Sequence, residues 1–238
     1  LVLVTGIILC AYFFLKPDQG WPRYVWLVPG AILIYTLTQT HSRGAFIALA
    51  TSIPACFFFY RGWRFALAAS VPVLPVVALF FAGRMTDISS VYEGTGQSRI
   101  QIWAENLSLI RRFPFFGIGE GMAVEEIGIV THNSFLQSYA ELGLPGGSLF
   151  LAAFLAAIVG LIPGREEFTS NNRRQRRLHA AIFAITTAYC VGILTLSRQF
   201  VAPTFMILGL ATATQTTSPI SLPYAMKFGN VLFIRSIV

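Results

Sequence analysis

The stretch THNSFLQSYAELG, which begins at Thr131, sets a histidine beside an asparagine in a chain that is otherwise mostly apolar. Thr131 or Asn133 is a suitable helix N-cap and Gly143 suits the position after a helix end, so we predict a short helix over 132–142. The positive end of a helix dipole lowers the pKa of an imidazole, which keeps the ring neutral. His132 is therefore a candidate general base, and the alternative is an interfacial histidine hydrogen-bonded to backbone.

Three arginines are predicted on the same side of the molecule as His132. Arg43 lies at one end of an apolar stretch, and Arg198 lies in a short connection between two others. Arg99 lies in the first turn of a helix predicted from the capping box SRIQ at 98–101. Guanidinium groups bind phosphate oxygens through paired N–H donors, so the set suits a phosphate ester. For each arginine alone, the alternative is a side chain that extends from a helix end to water.

Three further features of this region are assigned structural roles. Glu141 follows His132 by nine residues, about 180° around a helix, so we interpret it as a hinge or interface residue. The glycine-rich GIGEG at 117–121 has no predicted strand before it, which favours a flexible turn over a phosphate-binding loop. Pro-Gly-Gly at 145–147 predicts a hinge into the next apolar stretch.

The composition is that of a membrane protein. Apolar residues make up 55% of 238 residues and charged residues only 11%, with a mean hydropathy of +0.67, whereas charged residues form about a quarter of a soluble chain. Strict apolar alternation is absent, so we predict an all-α polytopic integral membrane protein with about six or seven transmembrane helices. Six uncharged stretches and a seventh interrupted by prolines are the candidate spans: 1–15, 24–42, 44–60, 65–83, 142–164, 178–197 and 199–226.

The distribution of charge predicts the orientation in the membrane. Assigning alternate loops to one side places 11 of the 17 basic residues there, which marks it as cytoplasmic. We therefore interpret the net charge of +7 as a topology signal, and RRQRR at 173–177 as an anchor to anionic lipid, with no nucleic-acid partner. The predicted domains are four spans, the first incomplete, a periplasmic loop with the catalytic motifs, two or three spans, and a tail: 1–83, 84–141, 142–226 and 227–238.

The remaining features of the sequence are the start of the chain, its three cysteines and two prolines in one apolar stretch. Leu1 already lies in an apolar run, which we interpret as the start of a fragment. Cys10, Cys56 and Cys190 all fall inside apolar stretches without paired spacing or nearby ligand residues, so we predict core thiols and no metal site or disulfide. Pro72 and Pro75 are expected to break the stretch 65–83, a feature of transporters.

Several motifs together resemble the O-antigen ligase and O-antigen polymerase superfamily. They are SRGA at 42–45, SRIQIW from position 98, IRRFPFFGIGEG up to position 121, and HNSFLQSYAELGLPGG from position 132; the resemblance covers about residues 30–165. It implies a fold of the GT-C glycosyltransferase type and an inverting, metal-independent enzyme without a cofactor. The implied donor is an undecaprenyl-diphosphate-linked glycan at the periplasmic face of the bacterial inner membrane. The implied acceptor is lipid A-core, another glycan or a protein.

The resemblance also assigns roles to individual residues. His132, Arg43 and Arg99 match the catalytic residues; Arg43 and Arg99, with the looser match Arg198 and with Asn133, are the expected substrate-binding residues. The family's usual ten to fourteen spans imply that N-terminal spans are missing from this chain. The two alternative functions are a polysaccharide or lipid transporter and a non-catalytic membrane assembly protein. Convergence of Arg43, Arg99 and His132 in space would favour the enzyme.

Overall fold

A computed structural model of the protein describes residues 1–16, 20–40, 42–85, 96–162 and 173–217. Within these ranges the chain forms α-helices, one 3₁₀ helix at Trp21–Trp26 and no strand, so the all-α prediction is confirmed. The helices are α1 (Val2–Phe14), α2 (Leu27–Gln39), α3 (Arg43–Arg61), α4 (Trp63–Met85), α5 (Gly96–Arg112), α6 (Met122–Ile127), α7 (Ser134–Leu161), α8 (Arg173–Ile193) and α9 (Ala202–Thr217). The predicted tail 227–238 lies outside the described residues, as do positions 86–95, 163–172 and 218–226.

Helix α8 is the centre of the bundle, where it packs against α1, α3, α7 and α9. Its most extensive partner is α3. Small residues allow two helix backbones to approach closely, and both helices bury such residues at a spacing of four. These residues are Ala180, Ala184 and Ala188 on α8, and Gly44, Ala48 and Ser52 on α3.

Aromatic contacts and one buried polar pair fix the partners of α8. Phe183 on α8 stacks on Phe58 of α3 with ring centroids 5.7 Å apart. Further along the helix, Tyr189 stacks on Phe154 of α7, and its hydroxyl shares a 2.8 Å hydrogen bond with Thr204 of α9. Both hydroxyl groups are buried, so each satisfies the other away from water. These contacts fix α3, α7 and α9 against α8.

Two of the described helices are long and apolar enough to cross a membrane, Arg43–Arg61 and Ser134–Leu161. Helix α1 is apolar but shorter. The expected span at 24–42 is divided: Pro22 lies at the start of the 3₁₀ helix, and the α-helix begins only at Leu27 and has 13 residues. These findings are consistent with a membrane protein, while the number of spans stays a prediction.

Three local predictions can be compared with the helices directly. Pro72 and Pro75 lie inside one continuous helix, so the predicted break in this stretch is wrong. Membrane helices tolerate internal proline when neighbouring groups satisfy the freed carbonyls. The helix predicted from SRIQ is present, but it begins earlier, at Gly96, and ends at Arg112. Ser98 therefore lies inside the helix and is not its N-cap, which corrects the capping-box prediction.

Candidate functional site

The turn before α7 is fixed by a side-chain cap. Asn133 has an extended backbone, and its Oδ1 accepts hydrogen bonds from the backbone N–H groups of Phe135 and Leu136, each at 3.1 Å. This confirms Asn133 as one of the two candidate N-caps. Because the cap occupies the carbonyl oxygen, the amide NH₂ is the part of Asn133 left to reach a substrate, and its substrate-binding role stays a prediction.

His132 precedes this cap and adopts an unusual backbone conformation. Its φ is +54°, and no other described non-glycine residue has a positive φ. Such conformations cost free energy and cluster at functional sites. The His132 N–H donates to Ser197 Oγ at 3.1 Å, a contact across 65 residues of chain that helps to hold the turn.

The ring of His132 is partly exposed, and its pKa is lowered. The main cause is burial, which disfavours the charged imidazolium, and the second is the positive charge of Arg99. The pKa of His132 is therefore lowered, as expected from the sequence. The causes are burial and Arg99, whereas the sequence-based expectation attributed the shift to the helix dipole. At neutral pH the ring is able to accept a proton.

Helix α5 brings Arg99 to this turn. Trp103, one helical turn further along, donates from Nε1 to the backbone oxygen of Thr131 at 3.1 Å. Residues four apart lie on the same helix face, so Arg99 is on the face that meets the turn. A second bond, from Thr131 Oγ1 to Asn106 Oδ1 at 3.2 Å, is fully buried and fixes the docking of α5.

Arg198 lies in residues 194–201, which join α8 to α9 and are called the α8–α9 connection below. Its backbone N–H donates to Ser134 Oγ at 2.7 Å, and the same hydroxyl donates to the backbone oxygen of Leu196. The Arg198 carbonyl accepts a bond from Thr204 Oγ1. The backbone is thus fixed against the first residue of α7, while the guanidinium side chain is exposed.

Arg43 is the first residue of α3 and meets the same connection from the other side. Ser42 caps the helix by accepting from the backbone N–H of Ala45. The next residue, Gly44, packs directly on Thr195: a Cβ at this position would come within 1.9 Å of Thr195 Oγ1. This contact places the first turn of α3, and the exposed side chain of Arg43, beside the α8–α9 connection.

The α8–α9 connection thus unites the predicted site residues at one end of the bundle. The family model for O-antigen ligase matches residues 28–151, which is about half of the chain. The chain belongs to the O-antigen ligase family. No curated protein matches it significantly. The matched range includes Arg43, Arg99, His132 and Asn133, whereas Arg198 lies beyond it.

Membership of the O-antigen ligase family supports a general activity for this chain. It supports a glycosyltransferase-like membrane enzyme for glycan transfer, with glycan and lipid-linked substrates. Within the described ranges no three His, Cys, Asp or Glu side chains are grouped as metal ligands. The groups that the described site offers are guanidinium forks and an imidazole; metal independence and the roles of individual residues stay predictions.

The candidate site rests on a helix broken at Gly143. This residue has φ +71° and ψ −175°, so the helix runs from Ser134 to the break and then resumes. The break separates the Ala140 carbonyl from its usual donor at Leu144. The usual donor to the Glu141 carbonyl would be residue 145, which is a proline without an N–H. Two buried carbonyls therefore need partners from elsewhere.

The loop 113–121 supplies those partners. The N–H of Ile118 donates to Ala140 O, and the N–H of Gly119 donates to Glu141 O, both at 3.0 Å. The glycine-rich motif was predicted as a flexible turn in preference to a phosphate-binding loop. Instead, its backbone groups complete the broken helix, so the motif is an ordered part of the support under the site.

The contact between loop and helix needs glycine on both sides. A Cβ at Gly117 would come within 2.4 Å of a backbone carbonyl at the break, and a Cβ at Gly143 within 2.4 Å of Phe115 O. The Leu144 N–H also donates to Pro114 O at 2.7 Å. Two backbones are therefore in direct contact here, with no room for a side chain between them.

Sequence reasoning missed several residues that build this site. Trp103 in α5 and Ser197 in the α8–α9 connection hold the turn from two different segments. Gln137 and Gln199 surround Glu141, which is fully buried two residues before the break. The interpretation of Glu141 as a hinge or interface residue fits this position. The signal available in the sequence was the presence of glutamine and serine inside apolar stretches.

Proposed function

We propose that this protein transfers a glycan from an undecaprenyl-diphosphate-linked donor to an acceptor hydroxyl, in the synthesis of O-antigen or another surface polysaccharide. The reaction would take place at the periplasmic face of the bacterial inner membrane. The observation that carries the proposal is the arrangement of Arg43, Arg99 and Arg198 at one end of the bundle, together with His132, whose pKa is lowered. Family membership supports glycan transfer in general.

The proposed reaction assigns one step to each kind of group. The acceptor oxygen forms a bond to the anomeric carbon of the donor sugar while the bond from that carbon to the lipid diphosphate breaks. His132 takes the proton of the acceptor hydroxyl, and the arginines stabilise the charge that develops on the leaving diphosphate. Attack opposite the leaving group inverts the anomeric configuration. No step requires a metal ion.

An apolar cavity near the first turn of α3 is a suitable place for the lipid tail of the donor. It has a volume of about 610 Å³ and lies between α2, α3 and α4. Phe46, Leu49 and Ile53 line it along one face of α3, and Phe46 is one helical turn from Arg43. A lipid in this cavity would place its diphosphate close to the arginine.

The test of the function is complementation of bacteria that lack their own ligase or polymerase. Expression of the full-length protein should restore surface glycan in one of the two strains. Attachment of long glycan to lipid A-core would identify a ligase, and lengthening of a lipid-linked glycan would identify a polymerase. Modified protein in the outer cell envelope would identify a protein acceptor. No restored transfer to any of the three acceptors would contradict the proposed function.

Replacement of Arg43 or Arg99 by lysine should lower glycan transfer at least tenfold while the protein stays inserted and stable. Lysine keeps the charge but cannot reproduce the paired N–H donors that match phosphate oxygens. Arg111→Lys, on an exposed residue at the far end of α5, is the matched control and should keep its activity. The rate is measured in membranes with the lipid-linked donor. Near-normal rates in both Arg43→Lys and Arg99→Lys would show that neither arginine grips the diphosphate.

The predicted orientation places loop 113–121 on the periplasmic side and the α3–α4 junction in the cytoplasm. In a variant without the three native cysteines, Glu120→Cys should react with a membrane-impermeant thiol reagent in intact spheroplasts, and Arg64→Cys should not. Both residues are exposed in the protein, so only the membrane makes their access to the reagent differ. Lysis should make both react, which controls for reactivity. The reverse labelling would put the proposed site on the wrong face.

A further inference from the structure

A buried carboxylate connects two parts of the site that are far apart in sequence. Glu141 on α7 is fully buried, and its two oxygens accept hydrogen bonds from two glutamine amides. Gln137 Nε2 donates to Oε1 at 2.7 Å within the same helix, and Gln199 Nε2 donates to Oε2 at 3.3 Å across 58 residues. Gln199 directly follows Arg198. The carboxylate therefore ties α7 to the α8–α9 connection.

The backbone of the same residue holds a third segment. The Glu141 carbonyl accepts the N–H of Gly119 from loop 113–121. Seven residues separate Glu141 from Ser134 at the start of α7, about 10 Å along a helix axis. Glu141 is therefore too deep to contact a substrate at His132, but all three segments that it joins continue to the site.

The orientation of the two amides indicates what holds them. Gln137 Oε1 and Gln199 Oε1 are buried without a hydrogen-bond partner, while both NH₂ groups point to the carboxylate. Each oxygen of the Glu141 side chain accepts from one amide NH₂ group, and this fixes both amides with their donors towards Glu141. Burial of a carboxylate is unfavourable without such partners, and an apolar residue would fill the space at lower cost.

We propose that Glu141 is a positioning residue, which through Gln199 holds the α8–α9 connection against α7 and so keeps Arg198 and the turn at His132 in their working positions. Its effect on glycan transfer rests on the proposed function; its effect on the position of the connection does not. Small displacements of catalytic groups lower rates strongly, because the binding geometry must be close to that of the reaction.

The test compares two substitutions of equal size. Gln199→Met removes the bond between the segments, whereas Gln137→Met removes only the bond within α7; both glutamines are buried, and methionine matches their length. Spin labels on the exposed residues Leu107→Cys and Leu194→Cys report the distance between α5 and the connection, in the full-length protein without its native cysteines. The same variants without labels are assayed for transfer.

Gln199→Met should broaden or shift the spin-label distance distribution and lower kcat about tenfold, and Gln137→Met should leave the distribution narrow and kcat within about twofold. Equal effects of the two substitutions, or an unchanged distribution in Gln199→Met, would overturn the proposal. If the distribution responds as expected but the parent protein transfers no glycan, the positioning role stands and the proposed function fails.

A residue swap keeps the proposal testable if Gln199→Met does not fold. Glu141→Gln alone removes the carboxylate, and Gln199→Glu alone sets two buried carboxylates against each other. In the double variant, the amide introduced at position 141 can donate to the carboxylate introduced at position 199 and accept from Gln137. The narrow distance distribution and most of kcat should return. The pairing would be refuted if, in either measurement, the double variant were no better than one of the single variants.

Discussion

Replacing His132 by asparagine is expected to lower glycan transfer by about 10²-fold or more, while expression and donor binding stay near normal. Removal of a base raises the energy of the transition state without weakening the ground-state complex. Asparagine tolerates a positive φ, so this substitution preserves the backbone of the turn, at +54° in the native protein, and removes only the base. Transfer is measured with saturating donor.

His132→Gln and His132→Ala provide the comparison. Glutamine can donate a hydrogen bond to the acceptor but cannot take its proton, so it should be nearly as inactive as asparagine. Alanine should be inactive and also less stable, because it is strained at a positive φ. If glutamine preserves most of the rate, the histidine orients the acceptor and another group accepts the proton.

The pH profile provides an independent test of the same role. The pKa of His132 is lowered, first by burial and then by the charge of Arg99. A base works in its neutral form, so transfer should persist below the ordinary histidine pKa and fall as the pH drops through the lowered value. Arg99→Met should raise the pKa and move this acid limb to higher pH, whereas Arg99→Lys should not. An acid limb that stays in place in Arg99→Met would show that the limb belongs to another group.

Gly143→Ala should be the most damaging small substitution in the described chain, with a loss of folding stability of more than about 3 kcal/mol. Alanine is strained at φ +71° and ψ −175°, and its methyl group would overlap the backbone oxygen of Phe115. Gly117→Ala should behave similarly, because its methyl group would overlap the helix at the break. The measurement is thermal unfolding in detergent, together with the fraction of monodisperse protein.

Gly62→Ala is the matched control for this prediction. Its backbone, at φ +84° and ψ −175°, is close to that of Gly143, but nothing lies within 4 Å of the added methyl group. It should therefore lose only the cost of the backbone conformation, about 1–3 kcal/mol. The difference between the two substitutions measures the contact between loop and helix. Equal losses at both positions would mean that conformation alone, without the close contact, requires glycine at Gly143.

Local sequence signals predicted the parts of this fold that depend on neighbouring residues. The helical class, the limits of α3 within a residue or two, and the cap at Asn133 follow from composition, apolar length and side-chain chemistry. The break at Gly143 was predicted as a helix end, because glycine at this position suits a left-handed backbone. The signal failed at Ser98, since a good capping sequence does not exclude a helix that starts earlier.

Contacts between distant segments could not be predicted in this way. The bond from His132 to Ser197 spans 65 residues and that from Gln199 to Glu141 spans 58. No periodicity or cap pattern relates such positions, because their meeting depends on how α7, α8 and α9 pack. The positive φ of His132 and the support from loop 113–121 could not be predicted for the same reason, because both depend on contacts between distant segments. From the sequence, we expected the arginines near one another only because they were predicted on the same side of the membrane. The hydrogen bonds that hold their segments are stronger evidence for this proximity.

The distance in sequence between His132 and Ser197 has a consequence for biosynthesis. The ribosome delivers the chain from its N-terminus, and each helix can leave the insertion machinery before the next is made. When α7 emerges from the ribosome, the serine that holds its first turn has not yet emerged, because it lies 36 residues beyond the end of the helix. The histidine therefore acquires its final backbone geometry only after α8 has inserted and the next connection has emerged. A partly synthesised chain that ends before Ser197 would contain Arg43, Arg99 and His132 but would lack Arg198 and the contact that holds the turn. Under the proposed function, such a chain could not transfer a glycan prematurely.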